Sequence, residues 1–353
     1  MLPFEILFLN WAVDHPQWVE TNYSDRFYPF VQSSLSSISG LISLPIGQFV
    51  FYALFFGLIL WVIKRVVALV RKKIGFGKFA WVIIKNGLFA FSLFNLLFNL
   101  TWGLNYRRLA IPDIANIDTA HISKSELLAL NDTLVSRCNS LRSQITTEGD
   151  LPISDKEILE KAPIGFREAK GHYEFINYDV FSVKAVLVPK IMSSFTIGGI
   201  YFMFTGEANV NMDPPNFLVP AVTCHEMAHQ SGFASEDEAN FVGYLATQFN
   251  PDLNFQYSGN LMMLRYAMRS LHRLDSIAYD DLAAKLTVEV KEDLRKNREY
   301  WQSFYNPLDP LTDALYDQFL KANDQKAGIK SYSLVTSLLV GEYRRSGLNL
   351  QED

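Results

Sequence analysis

The sequence predicts an α+β protein whose N-terminal part forms membrane-spanning helices. Two long runs without charged residues, at 46–63 and 86–106, predict the helices that would cross the membrane. Segments rich in β-branched and aromatic residues between 178 and 204 predict a small sheet. Helical spacing of apolar residues over 255–350 predicts a helical C-terminal half. Helices and strands segregated in this way are typical of an α+β domain.

Composition narrows the kinds of partner and of metal site. The 353-residue chain has a formal net charge of −5, so no broad basic surface is expected and nucleic acid is not an expected partner. The only two cysteines, Cys138 and Cys224, are too few for a disulfide framework or a cysteine-rich zinc module. A single disulfide between them stays open if the compartment is oxidising. Any metal site must therefore use histidines and carboxylates.

The two uncharged runs divide the chain into a membrane region, 1–106, and a soluble region, 107–353. Both runs are longer than most core helices and apolar on all sides, as expected of helices in lipid. A shorter run at 2–13 contains Glu5 as its only charge. It could be a short first span, an interfacial helix or part of a longer N-terminal region, and the sequence alone does not decide among these.

Basic residues predict the orientation in the membrane. Segment 14–44 contains a single Lys or Arg, Arg26, whereas the stretch between the two spans is strongly basic. Positively charged loops stay in the cytoplasm, which predicts a multi-pass protein of the cytoplasmic (inner) membrane with 107–353 on the extracytoplasmic side. Trp102 and Tyr106 would form an aromatic belt at the outer surface of the lipid bilayer. The basic residues concerned are Lys64, Arg65, Arg71, Lys72, Lys73, Lys78 and Lys85.

The segment PAVTCHEMAHQSG, residues 220–232, contains an HExxH motif. The spacing places His225 and His229 on one helix face, where both imidazoles can reach one ion. Glu226 projects about 100° further round the helix, so it can act on a water as general base without being a ligand. Pro220 suits a first helical turn and Gly232 a left-handed helix end. The motif therefore predicts Zn²⁺ as cofactor.

A catalytic zinc site needs a third protein ligand, and the acidic cluster SEDEANF, which begins at Ser235, follows the motif directly. Ser235 and Glu238 match a capping box, which would turn Glu238 back to the helix end and leave Glu236 free for the metal. Glu236 is thus the preferred third ligand, with Glu238 as the rival. Asn240 lies one turn after Glu236 and could support the ligands by hydrogen bonding.

The sequence around the motif, and the chain as a whole, resemble two kinds of protein. HEMAHQSGF followed by SEDEANFVGYLA resembles gluzincins, and most nearly the E-x-x-A-D form of prenyl-protease-like membrane peptidases. That resemblance implies Glu236 as ligand, although Asn240 replaces the usual Asp and the gap after His229 is shorter. Almost the whole chain is also similar to an uncharacterised family of bacterial membrane proteins, through WGLNYRR, GGIYFMFTGEANVN, the HExxH block and KSYS. This implies a zincin-like domain after the spans.

Residues 198–211 include a predicted strand, Ile200 to Phe204, and a turn at Gly206. The zincin resemblance implies that the residues after this turn, Glu207, Ala208 and Asn209, form an edge strand that binds an extended substrate, although a plain structural turn fits the pattern equally well. Candidates for stabilising an oxyanion are Tyr257, Arg265, His272 and Tyr332.

The leading hypothesis is a membrane-anchored zinc metallopeptidase that hydrolyses peptide or protein substrates outside the cytoplasmic membrane. An intramembrane protease is less favoured because acidic residues lie close to the motif. The alternative from another class is a non-enzymatic membrane sensor or scaffold that retains a zinc site. A structural zinc site has no use for the carboxylate of Glu226, and this favours the enzyme.

Overall fold

The structure, a computed structural model, describes residues 2–147, 153–305 and 334–348, with a few isolated residues between 314 and 321. It is mostly helical and contains one small sheet. The helices of the N-terminal part are α1 (Leu2–Val13), α2 (Pro16–Trp18), a π-helix (Val19–Phe27), α3 (Tyr28–Gly40), α4 (Ile46–Val70), α5 (Phe76–Thr101) and a 3₁₀ helix (Gly103–Arg107). Those of the remainder are α6 (Ile111–Ala115), α7 (Lys124–Thr147), α8 (Asp155–Ala169), α9 (Pro189–Ser194), α10 (Val219–Gln230), α11 (Glu236–Phe249), α12 (Leu253–Leu274), α13 (Ser276–Ala284), α14 (Val288–Gln302) and α15 (Leu334–Ser346).

The sheet has three strands, β1 (Val183–Ala185), β2 (Gly199–Phe202) and β3 (Glu207–Val210). Their order is β1-β3-β2, with β3 parallel to β1 and antiparallel to β2. The predicted turn at Gly206 joins β2 to β3 with a positive φ of 64°, a conformation that favours glycine. The central strand is therefore β3, and β1 and β2 are the edges.

Helix α11 lies at the centre of the helical core. All its residues are buried, as expected of a helix that is surrounded by others. It packs against α8, α10, α12 and α15, and the sheet covers another side of α10. Motif helix α10 is thus held between a fully buried helix and the sheet.

Two helices, α4 and α5, are long and apolar enough to cross a membrane. Each is about 38 Å long, which exceeds the hydrocarbon thickness of a bilayer. Their most apolar windows are almost unburied, at 0% and 6%, unlike helices of a soluble core. The second helix begins at Phe76 rather than at residue 86 and ends at Thr101. Helix α1 has only 12 residues, or about 18 Å.

The segment before α4 packs on residues beyond 106, the position at which the sequence divides the chain. Tyr28 donates a hydrogen bond to the carbonyl oxygen of Gln230 at 2.9 Å, and Ser36 donates one to the carbonyl oxygen of Gly206 at 2.7 Å. Arg108 forms a buried ion pair with Glu20. The π-helix and α3 therefore belong structurally to the unit that contains the HExxH helix.

Trp102 does not lie in an aromatic belt. Its side chain is buried and its indole N–H donates to the carbonyl oxygen of His229 at 3.1 Å. The ring also contacts Tyr106 and Tyr201, with centroids 5.1 and 5.9 Å away. The aromatic residues after α5 thus pack beneath the motif helix, where they fill core space instead of facing lipid.

Candidate metal centre

Helix α10 begins at Val219, with Pro220 in its first turn, and ends one residue before Ser231. Gly232 follows in the left-handed region with φ 86°, as the sequence predicts. Its N–H donates to the carbonyl oxygen of His229, and the N–H of Phe233 donates to that of Ala228. These two bonds form a Schellman motif, which stops the helix directly after the HExxH residues.

The structure brings His225, His229 and Glu236 together. One potential ligand atom from each lies within 4.8 Å of the others. Nε2 of His225 is 3.4 Å from one Glu236 oxygen, and Nε2 of His229 is 3.7 Å from the other. Two ligands of a tetrahedral zinc ion lie about 3.3 Å apart when each bond is about 2.0 Å long. The arrangement of donor atoms therefore fits a zinc ion without large rearrangement.

Glu236 reaches the histidines because α11 packs very closely on α10. Glu236, Asn240 and Gly243 lie on one face of α11. A side chain at Gly243 would place its Cβ 2.9 Å from the backbone nitrogen of His225. Only a residue without Cβ allows this approach, so Gly243 sets the separation of the two helices.

The rival ligand, Glu238, faces away from the metal centre. Its Oε1 accepts the backbone N–H of Ile111, the first residue of α6, at 2.7 Å. The predicted capping box is absent here: Ser235 makes no side-chain cap bond and its hydroxyl donates to Asp237 instead. The free N–H groups at the start of α6 attract the Glu238 carboxylate. The prediction that Glu238 turns back to its own helix end is therefore wrong, while Glu236 does lie beside the histidines.

Neighbouring groups shift the pKa values of the two histidines in opposite directions. Burial by itself would lower the pKa of His225, but the carboxylates of Glu236 and Glu226, together with Asn240, raise it above its ordinary value. Burial, with a contribution from His225, lowers the pKa of His229 to about 4. His229 is therefore neutral at physiological pH, which is the form that binds metal ions.

Glu226 lies against the first residue of β2. A Cβ atom built on Gly199 would be 2.4 Å from Cγ of Glu226 and 2.7 Å from its Oε1. Burial raises the pKa of Glu226 to about 8; His225 opposes this rise and Glu236 adds to it. The carboxyl group thus lies against an edge strand of the sheet and near enough to His225 and Glu236 to interact with their charges.

Two tyrosines that no local sequence pattern indicates lie near Glu236. Burial, with the negative charge of Glu236 as a smaller contribution, raises the pKa of Tyr106 and of Tyr266. Tyr266 also interacts with the side chain of Asn240. Tyr106 is one of the two residues that the sequence predicts in an aromatic belt. The position of Tyr266 depends on the packing of α12 against α11, for which the sequence carries no local signal.

Two of the selected oxyanion candidates have partners elsewhere. Tyr257 donates to Oδ2 of Asp293 at 2.7 Å, and His272 packs on Tyr279 with ring centroids 4.8 Å apart. Arg265 is exposed and adjoins Tyr266 in the chain. Tyr332, like the KSYS segment, lies outside the described residues.

The predicted edge strand at Glu207, Ala208 and Asn209 is wrong. They form the central strand β3, whose backbone pairs on both sides, and all three are buried. The Glu207 carboxylate forms a buried ion pair with Lys184 and accepts the backbone N–H of Ile46 at 2.9 Å. It also accepts the N–H of Gly47. Glu207 therefore caps the N-terminus of α4 and links the sheet to that helix.

Cys138 and Cys224 are both buried and both free, so they do not form the disulfide that the sequence left open. Burial raises the pKa of each thiol, as expected of small core residues. Cys224 precedes the first ligand in the chain, but the three clustered metal-ligand candidates among the described residues are histidine and glutamate.

A family model described as "Protein of unknown function (DUF3810)" matches residues 23–340. The chain belongs to this family. The match includes both long apolar helices, the sheet and every residue of the candidate metal centre. No curated protein and no solved structure matches the chain. Membership of an uncharacterised family is therefore confirmed, while the family's membrane location and its likeness to zincins remain predictions.

Proposed function

We propose that this protein is a membrane-anchored, zinc-dependent metallopeptidase with a gluzincin-like site. His225, His229 and Glu236 are the metal ligands, Glu226 is the general base, and Asn240 supports the ligands. The observation that carries this proposal is the approach of the Glu236 carboxylate to both Nε2 atoms, at 3.4 and 3.7 Å, beside a buried carboxyl group that is not a ligand. A sensor or scaffold with a structural zinc site would not need Glu226 in that place.

Zinc in such a site would act as a Lewis acid, polarising a carbonyl group and lowering the pKa of a water to about 7. Glu226 takes the proton of the attacking water and later delivers it to the leaving amine. Its contact with Gly199 holds the carboxyl group at one end of β2. The carbonyl oxygen of Phe233 holds the imidazole of His229 by accepting its Nδ1–H at 2.8 Å.

An extended substrate would bind along β2. This strand pairs with β3 on one side only, so its other backbone edge can add a strand. A peptide in that position would present its carbonyl group beside Glu226. Tyr106 and Tyr266 are neutral hydroxyl donors near Glu236, and we assign them the stabilisation of the developing oxyanion.

We further propose that α4 and α5 span the cytoplasmic membrane with their connection on the inner side. Their lengths, exposed apolar surfaces and the basic turn at Arg71, Lys72 and Lys73 support this. The segment before α4 and the segment after α5 both belong to the unit of the metal centre. With the connection between the helices on the inner side, the metal centre would therefore face the outer side.

Peptide hydrolysis by the purified full chain tests the proposal. We expect zinc-dependent turnover of members of a peptide library by the native protein and none by Glu226→Gln, which keeps the size of the side chain. A matched control is Glu168→Gln, on α8 outside the centre, with activity expected to be unchanged. Turnover by Glu226→Gln at the native rate would contradict the proposal, and bound zinc without any turnover would favour the sensor.

A further inference from the structure

An apolar segment runs from Val186 to Thr205, between β1 and β3, and Lys190 is its only charged residue. Much of this segment is exposed. Its seven large exposed side chains, which we call the apolar lip, have exposed fractions of 37% to 55%. Soluble surfaces seldom carry an apolar patch of this size without a partner. The residues of the lip are Leu187, Val188, Ile191, Phe195, Ile197, Ile200 and Phe204.

The two ends of the lip touch the helices that are long enough to span a membrane. The backbone N–H of Leu187 donates to Oε1 of Gln48, in the first turn of α4, at 2.9 Å. At the other end, the ring of Phe204 packs on Phe94 of α5 with centroids 5.8 Å apart. Phe94 lies seven residues before Thr101, the last residue of α5, which is about 10 Å along the helix. The lip is therefore continuous with the exposed apolar surface of α4 and α5.

We infer that the apolar lip is inserted into the outer interface of the lipid bilayer, beside α4 and α5. Continuity with these helices favours lipid over a soluble partner or a second copy of the chain, since neither explains the apolar surface of the helices. Lys190, in the middle of the lip, is exposed and can extend its ammonium group to lipid headgroups. Short apolar segments of this kind enter a membrane about 5–10 Å deep.

The lip also determines which substrates reach the metal centre; this step rests on the proposed function. Strand β2 runs from Gly199, against Glu226, to Phe202, whose ring would be 2.5 Å from a Cβ at Gly47 in α4. The strand is about 10 Å long. A peptide bound along β2 therefore has its reacting bond within about three residues of the membrane surface. The substrate class is a polypeptide that is tethered to the same membrane and cleaved close to its anchor.

Lipid contact can be measured without any enzymatic activity. The full chain carrying Ile191→Cys or Phe195→Cys would be labelled with an environment-sensitive fluorophore in nanodiscs whose lipids carry a quencher. Leu58→Cys on α4 is the positive control and Ile277→Cys on α13, which is 75% exposed, is the negative control. The native protein gives the blank because Cys138 and Cys224 are buried.

Quenching at 191 and 195 should reach within about twofold of that at position 58, as expected of an interfacial segment. Quenching as low as that at position 277 would overturn the proposal that the lip is inserted into the lipid bilayer. This result does not depend on whether the protein is a peptidase.

The substrate class is tested with one peptide that the enzyme cleaves, either free in solution or attached to a lipid anchor by linkers of different length. In vesicles, we expect anchored peptide with a short linker to be cleaved about tenfold faster or more, because the shared membrane raises its effective concentration. Ile191→Glu should reduce that advantage, whereas Ile277→Glu should not. Equal rates for free and anchored peptide would overturn the substrate class. A library in which no peptide is cleaved would count against the proposed function instead.

Discussion

The Nδ1 atom of His229 lies 2.8 Å from the carbonyl oxygen of Phe233. A carbonyl oxygen can only accept, so Nδ1 carries the hydrogen and the lone pair of the neutral imidazole is on Nε2. That atom faces Glu236. The turn that ends α10 therefore also orients a candidate metal ligand, and it does so through the backbone of the residue after Gly232.

Substitution of Gly232 should weaken both the fold and the metal site. Its φ of 86° disfavours any residue with a Cβ, and a Cβ there would lie 2.9 Å from the ring of Tyr28. We expect Gly232→Ala to lower the free energy of unfolding by about 1–2 kcal/mol and zinc affinity by about tenfold. Denaturation and zinc titration of the detergent-solubilised protein measure both. Gly40→Ala, where nothing lies within 4 Å, is the control and should change neither.

Substitutions at the adjacent glycines Gly198 and Gly199 should distinguish the placement of the general base from metal binding. A Cβ at Gly199 would displace Glu226, whereas one at Gly198 would meet only the side chain of Val222, at 3.1 Å. We expect Gly199→Ala to lower kcat about tenfold or more, because the general base moves, while the zinc content stays unchanged. Gly198→Ala should keep kcat within about twofold, which is less than 1 kcal/mol in the barrier. Equal effects of the two variants would argue against the placement of Glu226 at β2.

Glu207 should be required for stability rather than for substrate binding. Glu207→Gln leaves Lys184 buried without its ion partner, and we expect a loss of about 3–5 kcal/mol in the free energy of unfolding. The double variant Glu207→Gln with Lys184→Met removes both charges and should recover part of that loss. An increase in KM with unchanged stability would instead support the earlier assignment of this residue to substrate binding.

Acid should weaken the attachment of α15 to α7. Glu126 accepts a hydrogen bond from Arg344 at 2.7 Å and also bonds to Ser123, which lowers the pKa of its carboxyl group from 4.5 to about 2. A lowered pKa in the folded state adds stability above pH 4.5 that is lost as the pH falls towards 2. The difference in unfolding free energy between the native protein and Glu126→Gln should therefore shrink over this range. A difference in unfolding free energy that does not change with pH would contradict this role of Glu126.

Local signals in the sequence were sufficient for the motif helix and its ends. Pro220 and Gly232 lie where the pattern predicts them, and the S-x-x-E spacing of Ser123 and Glu126 likewise corresponds to a capping box in the structure. Such features depend on residues a few positions apart, so spacing alone reveals them. The two apolar helices are predicted for the same reason. Helix α5 begins at Phe76, whereas its uncharged run begins only at residue 86, because Lys78 and Lys85 lie in the first part of the helix.

Features that depend on distant pairing could not be predicted. Glu238 matches a capping pattern, yet it binds the N–H of Ile111, which lies more than a hundred residues earlier in the chain. The central place of β3 follows from its pairing with β1 and β2, and turn chemistry alone does not specify strand order. Trp102 follows an apolar helix, as interfacial aromatic residues do. Its side chain instead packs in the core and donates a hydrogen bond to the carbonyl oxygen of His229.

The zinc content of the purified full chain and of three isosteric variants tests the central claim most directly. We expect about one zinc per native chain, and the same in Glu226→Gln and Glu238→Gln, since neither residue is a ligand. Glu236→Gln should bind zinc at least about 100-fold more weakly. A native protein without zinc affinity, or a loss of zinc in Glu238→Gln rather than in Glu236→Gln, would contradict the metal centre described above.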